Sequence, residues 1–253
     1  MIEHITSLKN PKVAAWKGLK DRKGRKATGC FLVEGRKMVA EVLDSDFTVT
    51  AVLTAEGYEP DFALPAGMPR YVLPEHVFAA VCDTKTPQGV AAVVRMKDSM
   101  VTGRRLVALD GVQDPGNVGT ILRTADAAGF DGVILSEQCA DIFSPKLLRA
   151  TMGSIFRMPA AVTPDLAGTL SALRDEQGFS VISSQLDGTP FYERAPVGER
   201  FVLVIGSEGN GVTDAVKAAA THRVRLPMRG GAESLNAAVA AGIMMYELTK
   251  DME

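Results

Sequence analysis

Three glycine-bearing stretches in the second half of the chain carry polar residues of the kinds that bind and orient ligands. In "LDGVQDPGNVGTILRTADAAG", Asp114, Pro115 and Gly116 form a turn, and Asn117 stands where it can cap the helix that follows. Arg123 lies six residues further on, among Ile121, Leu122, Thr124 and Ala125. Its guanidinium either snorkels from a packed helix or clamps a phosphate with two hydrogen bonds, and spacing alone leaves both open. In "VLVIGSEGNGV", Gly206, Gly209 and Gly211 directly follow an apolar run, which lets backbone amides approach a ligand closely. Glu208 within that loop either neutralises the positive end of the next helix or accepts a hydrogen bond from a ligand. In "MRGGAESLNAAVAAG", Ser234 is the expected N-cap of an Ala-rich helix and Asn236 its second helical residue.

Several chemistries are disfavoured. The glycine order G-x-x-G-x-G at 206–211 is not the dinucleotide pattern G-x-G-x-x-G, and no G-x-x-x-x-G-K-[ST] phosphate loop occurs. Cys30, Cys82 and Cys139 are far apart and outside any C-x-x-C pattern, and His4, His76 and His222 have no metal-ligand spacing, so we expect reduced thiols and no metal. No run of about 18 apolar residues is present, and "MIEHITSLKNPK" lacks the apolar core of a signal peptide, so we expect no membrane association and a cytoplasmic location. The net charge of −2 hides an asymmetry: residues 1–37 hold ten Lys/Arg against three Asp/Glu, a balance of +7, and the remainder carries −9. A basic segment on an acidic chain is either a solvated helix face or a grip on an anionic partner such as nucleic acid phosphates.

The elements that must position these residues follow from periodicity. With 46% hydrophobic and 23% charged residues over 253 positions, the chain has the composition of a globular protein of two domains. In "NPKVAAWKGLKDRKGRKATG", Asn10 caps, Pro11 starts a helix, and Val13, Trp16 and Leu19 or Lys20 form its apolar stripe with a basic tail behind. "CFLVEG", "FTVTAVLTA", "RYVL" and "GVAAVVRM" then alternate with the helical "RKMVAEVLDS" and "PEHVFAAVC", a small α/β sandwich. Residues 97–105, "KDSMVTGRR", form a linker. Beyond it, strands at "RLVALDG", "GVILSEQ", "FSVISSQL", "RFVLVIG" and "HRVRLPM" are separated by helices. Unalternating runs such as Phe201 to Ile205 suit a parallel sheet covered on both faces, and ligands bind at the carboxyl ends of such strands. The loops after Asp110, Ile205 and Leu226 are therefore the places to search.

In order and spacing, "DGVQDPGNVGTILRTADAAGFDGVIL", "FVLVIGSEGNGV" and "VRLPMRGGAESLNAAVAAGIMMYEL" closely resemble the three motifs of the SpoU/TrmH family of RNA ribose 2'-O-methyltransferases, in the SPOUT class. The N-terminal "ITSLKNPKVAAWKGLKDRKGRKATGCFLVEGRKMVAEVL", with "DTKTPQGVAAVV", resembles the L30e-like substrate-binding domain that many of these enzymes carry.

The resemblance implies an RNA-binding domain over 1–96, a linker over 97–105, and a parallel-sheet α/β domain with a trefoil knot over 106–253. It assigns catalytic roles to Asn117, Arg123, Glu208, Ser234 and Asn236. It implies S-adenosylmethionine as cofactor, held by Ser183, Ser184, Ile205, Gly206, Gly209, Gly211, Leu226, Met228 and Leu235. The expected partners are structured RNA, ribosomal before transfer RNA, and a second copy of the chain. Ala237, Ala238, Ala240, Ala241 and Gly242 would allow the last helix close contact with that copy. A base-methylating SPOUT enzyme and a non-catalytic RNA-binding or assembly factor are the alternative functions.

Overall fold

A computed structural model describes residues 2–251. Packing divides the chain into two compact units, one taking in the chain up to Lys97 together with Asp141–Phe156, the other Asp98–Ala140 and the chain from Arg157 onward.

In the first unit, β1 (Ile2–His4), α1 (Pro11–Gly18), α2 (Arg22–Thr28), β2 (Cys30–Glu34), α3 (Arg36–Leu43), β3 (Val49–Ala55), β4 (Arg70–Leu73), α4 (Glu75–Val81) and β5 (Val90–Arg95) follow one another. The strands form one mixed sheet in the order β1-β4-β3-β5-β2, parallel from β1 to β3 and antiparallel on either side of β5. Val13, Trp16 and Leu19 are buried against Leu53, Leu73 and Phe78, the stripe expected of the first helix. Asn10 caps that helix by accepting from Lys12 N at 2.9 Å.

The basic tail is a second helix, α2, from which Arg25 folds back into the corner. Its guanidinium donates to the carbonyls of Leu19 (2.8 Å) and Lys20 (2.7 Å), which the end of α1 leaves without helical partners, and to Asp141 (2.8 Å). Arg25 is 3% exposed, so it is a packing residue and not part of a solvent-facing basic surface. Its counter-ion comes from the segment containing α6 (Pro145–Thr151), where Phe143 also stacks on Phe31 with centroids 4.6 Å apart. By packing, Asp141–Phe156 thus lies with the first unit, although in sequence it falls inside the run 106–253.

The second unit contains β6 (Arg105–Asp110), α5 (Pro115–Ala127), β7 (Gly132–Ser136), β8 (Ala160–Thr163), α7 (Leu166–Gln177), β9 (Ser180–Pro190), β10 (Phe201–Gly206), α8 (Asp214–Ala219), β11 (His222–Arg225) and α9 (Ala237–Thr249). Its six strands are all parallel, in the order β11-β9-β10-β6-β7-β8. Every residue from Phe201 to Ile205 is buried, as a sheet covered on both faces requires: Val202 and Val204 meet Leu166, Leu170 and Val216, while Phe201 turns the other way against Phe130. Residues 96–104 carry no helix or strand.

Candidate active site

The carboxyl ends of β6, β9 and β10, with the approach to α9, bring the polar residues of the three loops together. After β6, the Asp110 carboxylate accepts from Thr213 N at 2.7 Å, tying this loop to the one after β10. Asp114, not Asn117, caps α5: its side chain accepts from Asn117 N at 2.9 Å, with Pro115 in the first turn. The Asn117 side chain is thereby released from capping and reaches across the carboxyl ends of the strands.

The loop after β10 closes on itself. Ser207 N donates to Gly211 O (3.1 Å) and Gly211 N to Ser207 O (2.9 Å), with Gly211 at φ +65°. A Cβ on Gly206 would lie 2.2 Å from the Gly211 carbonyl carbon, so only glycine lets the two sides of the loop meet. The tip presents Glu208, which accepts from Asn117 Nδ2.

The third loop stays irregular until Asn236, so the expected cap at Ser234 is not the one observed. Asn236 Oδ1 accepts from Ala238 N (2.9 Å) and Val239 N (3.3 Å), and its Nδ2 donates to Asn117 Oδ1 at 2.9 Å. The direction of this chain is forced. Helix amides can only donate, which fixes Asn236 Oδ1 as acceptor and aims its Nδ2 at Asn117. Asn117 must then present its oxygen to Asn236 and its amino group to the Glu208 carboxylate.

Arg123 is exposed on α5, and among the described residues no hydrogen bond or ion pair holds it. It stands outside the Asn117–Glu208–Asn236 cluster, free to meet an outside group.

Beside the cluster is a cavity of about 430 Å³. Ser184, Ile205, Gly206, Gly209, Gly211, Leu226, Met228 and Leu235, the residues that the resemblance assigns to the cofactor, line it together with Glu208 and Ser234. Ser183 does not; it is fully buried, and its Oγ accepts a hydrogen bond from Gln185 on the wall. Sequence reasoning missed Gln185, Leu186 and Asp187 on one wall and Arg225 and Met244 on others. The first three belong to an excursion of β9: Ser183 pairs with Arg223 and Thr189 with Val224, so residues 184–188 have no partners on β11. Gly188 was the available signal, since a Cβ there would lie 2.5 Å from Val224 N.

Burial raises the pKa of Cys30, Cys82 and Cys139, which suits thiols without a nucleophilic task. Among the described residues no group of three or more His, Cys, Asp or Glu is arranged to hold a metal, and no helix is long and apolar enough to cross a membrane.

The last helix also differs from expectation. Ala237, Ala238 and Ala241 are buried within the chain and Gly242 faces Thr124 of α5, so these four serve packing of α9 on its own unit, while the half-buried Ala240 lines the cavity. Val239, Ile243 and Tyr246 are the residues left exposed.

A covered parallel sheet with a small-molecule cavity and a polar cluster at the carboxyl ends of its strands is the arrangement of an α/β enzyme that works on a bound nucleotide-sized ligand. Comparison with known proteins narrows that class. Residues 104–246 match the SpoU rRNA Methylase family and residues 10–92 the MRM3-like substrate binding domain. The 23S rRNA (guanosine(2553)-2'-O)-methyltransferase RlmP of Bacillus subtilis (strain 168) is 41% identical, over 98% of this chain and 99% of that protein. The AdoMet-bound rRNA methyltransferase from Sinorhizobium meliloti superposes with a TM-score of 0.88 at 31% identity, covering 100% of this chain and 99% of the other. The SpoU methyltransferase AviRb from Streptomyces viridochromogenes, in complex with AdoMet, gives 0.86 at 26% identity, covering 96% and 98%. The chain belongs to the SpoU rRNA methylase family and carries an N-terminal substrate-binding domain of the MRM3-like type.

Proposed function

We propose that this protein transfers a methyl group from S-adenosylmethionine to a ribose 2'-hydroxyl of ribosomal RNA in the cytoplasm. The observation that carries the reading is the Asn117–Glu208–Asn236 cluster beside a cavity of cofactor size, with Arg123 unpartnered nearby in sequence. The full-length similarity to a 23S rRNA 2'-O-methyltransferase supports the ribose and the ribosomal substrate over the base-methylating alternative.

The cavity suits the cofactor. Its volume lies within the roughly 300–1,000 Å³ of small-molecule sites. Its walls combine apolar side chains (Ile205, Val212, Leu226, Met244) with the carboxylates Asp187, Glu208 and Glu233, fitting a ligand with a flat base and a cationic end. Ser184, Ile205, Gly206, Gly209, Gly211, Leu226, Met228 and Leu235 would hold it, with Ser183 acting from beneath through Gln185.

S-adenosylmethionine supplies an already activated sulfonium methyl. What remains for the protein is to orient a ribose oxygen and favour loss of its proton, and orientation alone contributes up to about 7–11 kcal/mol in favourable cases. Arg123 hydrogen-bonds the 2'-hydroxyl and the adjacent phosphate; a guanidinium keeps its own protons, so it assists deprotonation as a charge rather than storing the proton. Asn117 and Asn236 hold the rim of the site in one orientation, Glu208 anchors them, and Ser234 shapes the mouth of the cavity.

Residues 1–96 grip the RNA and 106–253 carry the chemistry, joined through 97–105. The exposed Lys17, Arg22, Lys23 and Lys26 supply the phosphate contacts. Lys12 is held by Glu3 (2.7 Å) and Tyr71, whose hydrogen bonds raise its pKa, and Lys20 donates to Ala80 O, so both are less available. The exposed row Val239, Ile243 and Tyr246 supports a homodimer through α9, and the family resemblance supports a trefoil-knotted catalytic domain.

Arg123→Ala is expected to abolish transfer of labelled methyl to ribosomal RNA while leaving calorimetric cofactor affinity within about twofold. Retained turnover overturns the role of Arg123. Nuclease digestion of the product, placing the methyl on a base instead of a ribose, overturns the reaction itself.

A further inference from the structure

Two buried side-chain oxygens among the described residues have no hydrogen-bond partner, Ser144 Oγ and Gln185 Oε1, and only Gln185 stands on the wall of the cavity. Gln185 is 8% exposed, and its Nε2 donates to the fully buried Ser183 Oγ at 3.0 Å. That bond occupies the donor end of the amide and leaves the acceptor end unused. The β9 excursion that carries it is anchored at both ends, by the Ser183–Arg223 pairing and by Gly188, whose carbonyl accepts from Arg225 Nε at 3.0 Å. A buried acceptor without a donor, on a segment built into a ligand cavity, is expected to find its partner in the ligand.

We propose that Gln185 reads the 6-amino group of the cofactor's adenine and thereby sets the specificity of the cavity for an adenosyl over a hypoxanthine nucleoside. The inference rests on S-adenosylmethionine as the ligand. Among that molecule's donors, the α-ammonium is charged and suits the carboxylates Asp187, Glu208 and Glu233 on the same cavity. A neutral amide oxygen withdrawn from water suits a neutral donor; the ribose hydroxyls can accept as well as donate and so can be satisfied by backbone amides, whereas the adenine amino group on its flat apolar ring only donates and needs an acceptor such as this one. With an oxo group at that position, two acceptors would face each other in a water-poor site.

The test uses the full chain and two ligands, S-adenosylhomocysteine and S-inosylhomocysteine, with affinities measured calorimetrically. The parent protein is expected to bind the adenosyl compound at least about tenfold more tightly. Gln185→Met, of similar length but without the acceptor, should narrow that ratio to within about threefold. Gln185→Glu keeps an acceptor and should keep the preference, the Ser183 hydroxyl turning to donate. Equal affinity of the parent protein for both ligands overturns the proposal, whatever the variants do. So does an undiminished preference in a folded Gln185→Met protein, since another group would then be reading the base. Failure of the parent protein to bind S-adenosylhomocysteine at all overturns the cofactor reading itself, a result distinct from either of these.

Discussion

Asn236 performs two tasks with two ends of one amide, and substitution can separate them. Its Oδ1 caps α9 and its Nδ2 holds Asn117. In Asn236→Ala both are lost. Loss of an N-cap costs about 1 kcal/mol, and loss of one solvent-accessible side-chain hydrogen bond about 0.5 kcal/mol. The sum of about 1.5 kcal/mol corresponds to a fall in Tm of about 3–6 °C for a unit of this size. Asn236→Asp behaves differently. An aspartate caps as well as an asparagine and adds a charge favourable to the helix N-terminus, so Tm should stay within about 2 °C of the parent. Yet it sets an acceptor against Asn117 Oδ1, turning the Asn117 amide and breaking its bond to Glu208. Methyl transfer to RNA should then fall by about tenfold or more in both variants, through kcat more than through cofactor affinity. Thermal melting by circular dichroism and single-turnover methylation read the two effects separately. An Asp variant with full kcat, or an Ala variant as stable as the parent, refutes the coupling of cap and cluster.

Other perturbations follow from the same geometry. Asp141→Ala strands the buried Arg25 guanidinium and is expected to cost about 3 kcal/mol, seen as a lower unfolding midpoint in urea; a change below about 1 kcal/mol contradicts its role as counter-ion. Burial pushes the Cys82 thiol up in the fold, so its contribution to stability is complete below the unfolded thiol pKa of about 8.5 and is lost above it, as the unfolded chain ionises first. Cys82→Ala should therefore remove up to about 1.4 kcal/mol per pH unit from the alkaline decline in stability between about pH 9 and 10, and an unchanged slope assigns that decline elsewhere. Neutralising Lys17, Arg22, Lys23 and Lys26 together should lower the salt slope of RNA binding by about 3, measured by filter binding at several salt concentrations.

The central strands of the second unit were legible because burial on both faces leaves unbroken apolar runs, as in Phe201–Ile205. Two short strands were not: β1 and β8, of three and four residues, lack a periodicity long enough to detect. The first two polar loops were legible because each follows an apolar strand, and the third because it leads into an Ala-rich helix. Which residue caps was not, since Asp114 and Asn117 have equal claims by type, as do Ser234 and Asn236. Tertiary contact decides: Asn236 caps where it can also reach Asn117, and Asn117 is free to answer because Asp114 already caps α5. The Ser184–Gly188 excursion was invisible for a related reason. A strand that leaves its ladder and returns has no pattern of its own, and only the crowding at Gly188 marks where it comes back.

Charge shows most clearly what composition cannot carry. The excess of +7 over residues 1–37 is real, but it counts side chains by type and not by occupation. Arg25 spends its charge on two carbonyls and a carboxylate, Lys12 on Glu3, and Lys20 on a backbone oxygen. RNA releases its condensed counterions only where an exposed cation reaches a phosphate, so the electrostatic grip scales with the exposed remainder. On this reasoning Arg25→Ala lowers stability and leaves the salt slope of RNA binding unchanged in the folded protein, whereas Lys23→Ala lowers the slope by about 0.7–0.9 without altering stability. A tail gripping RNA by charge count alone would show the same slope change for both.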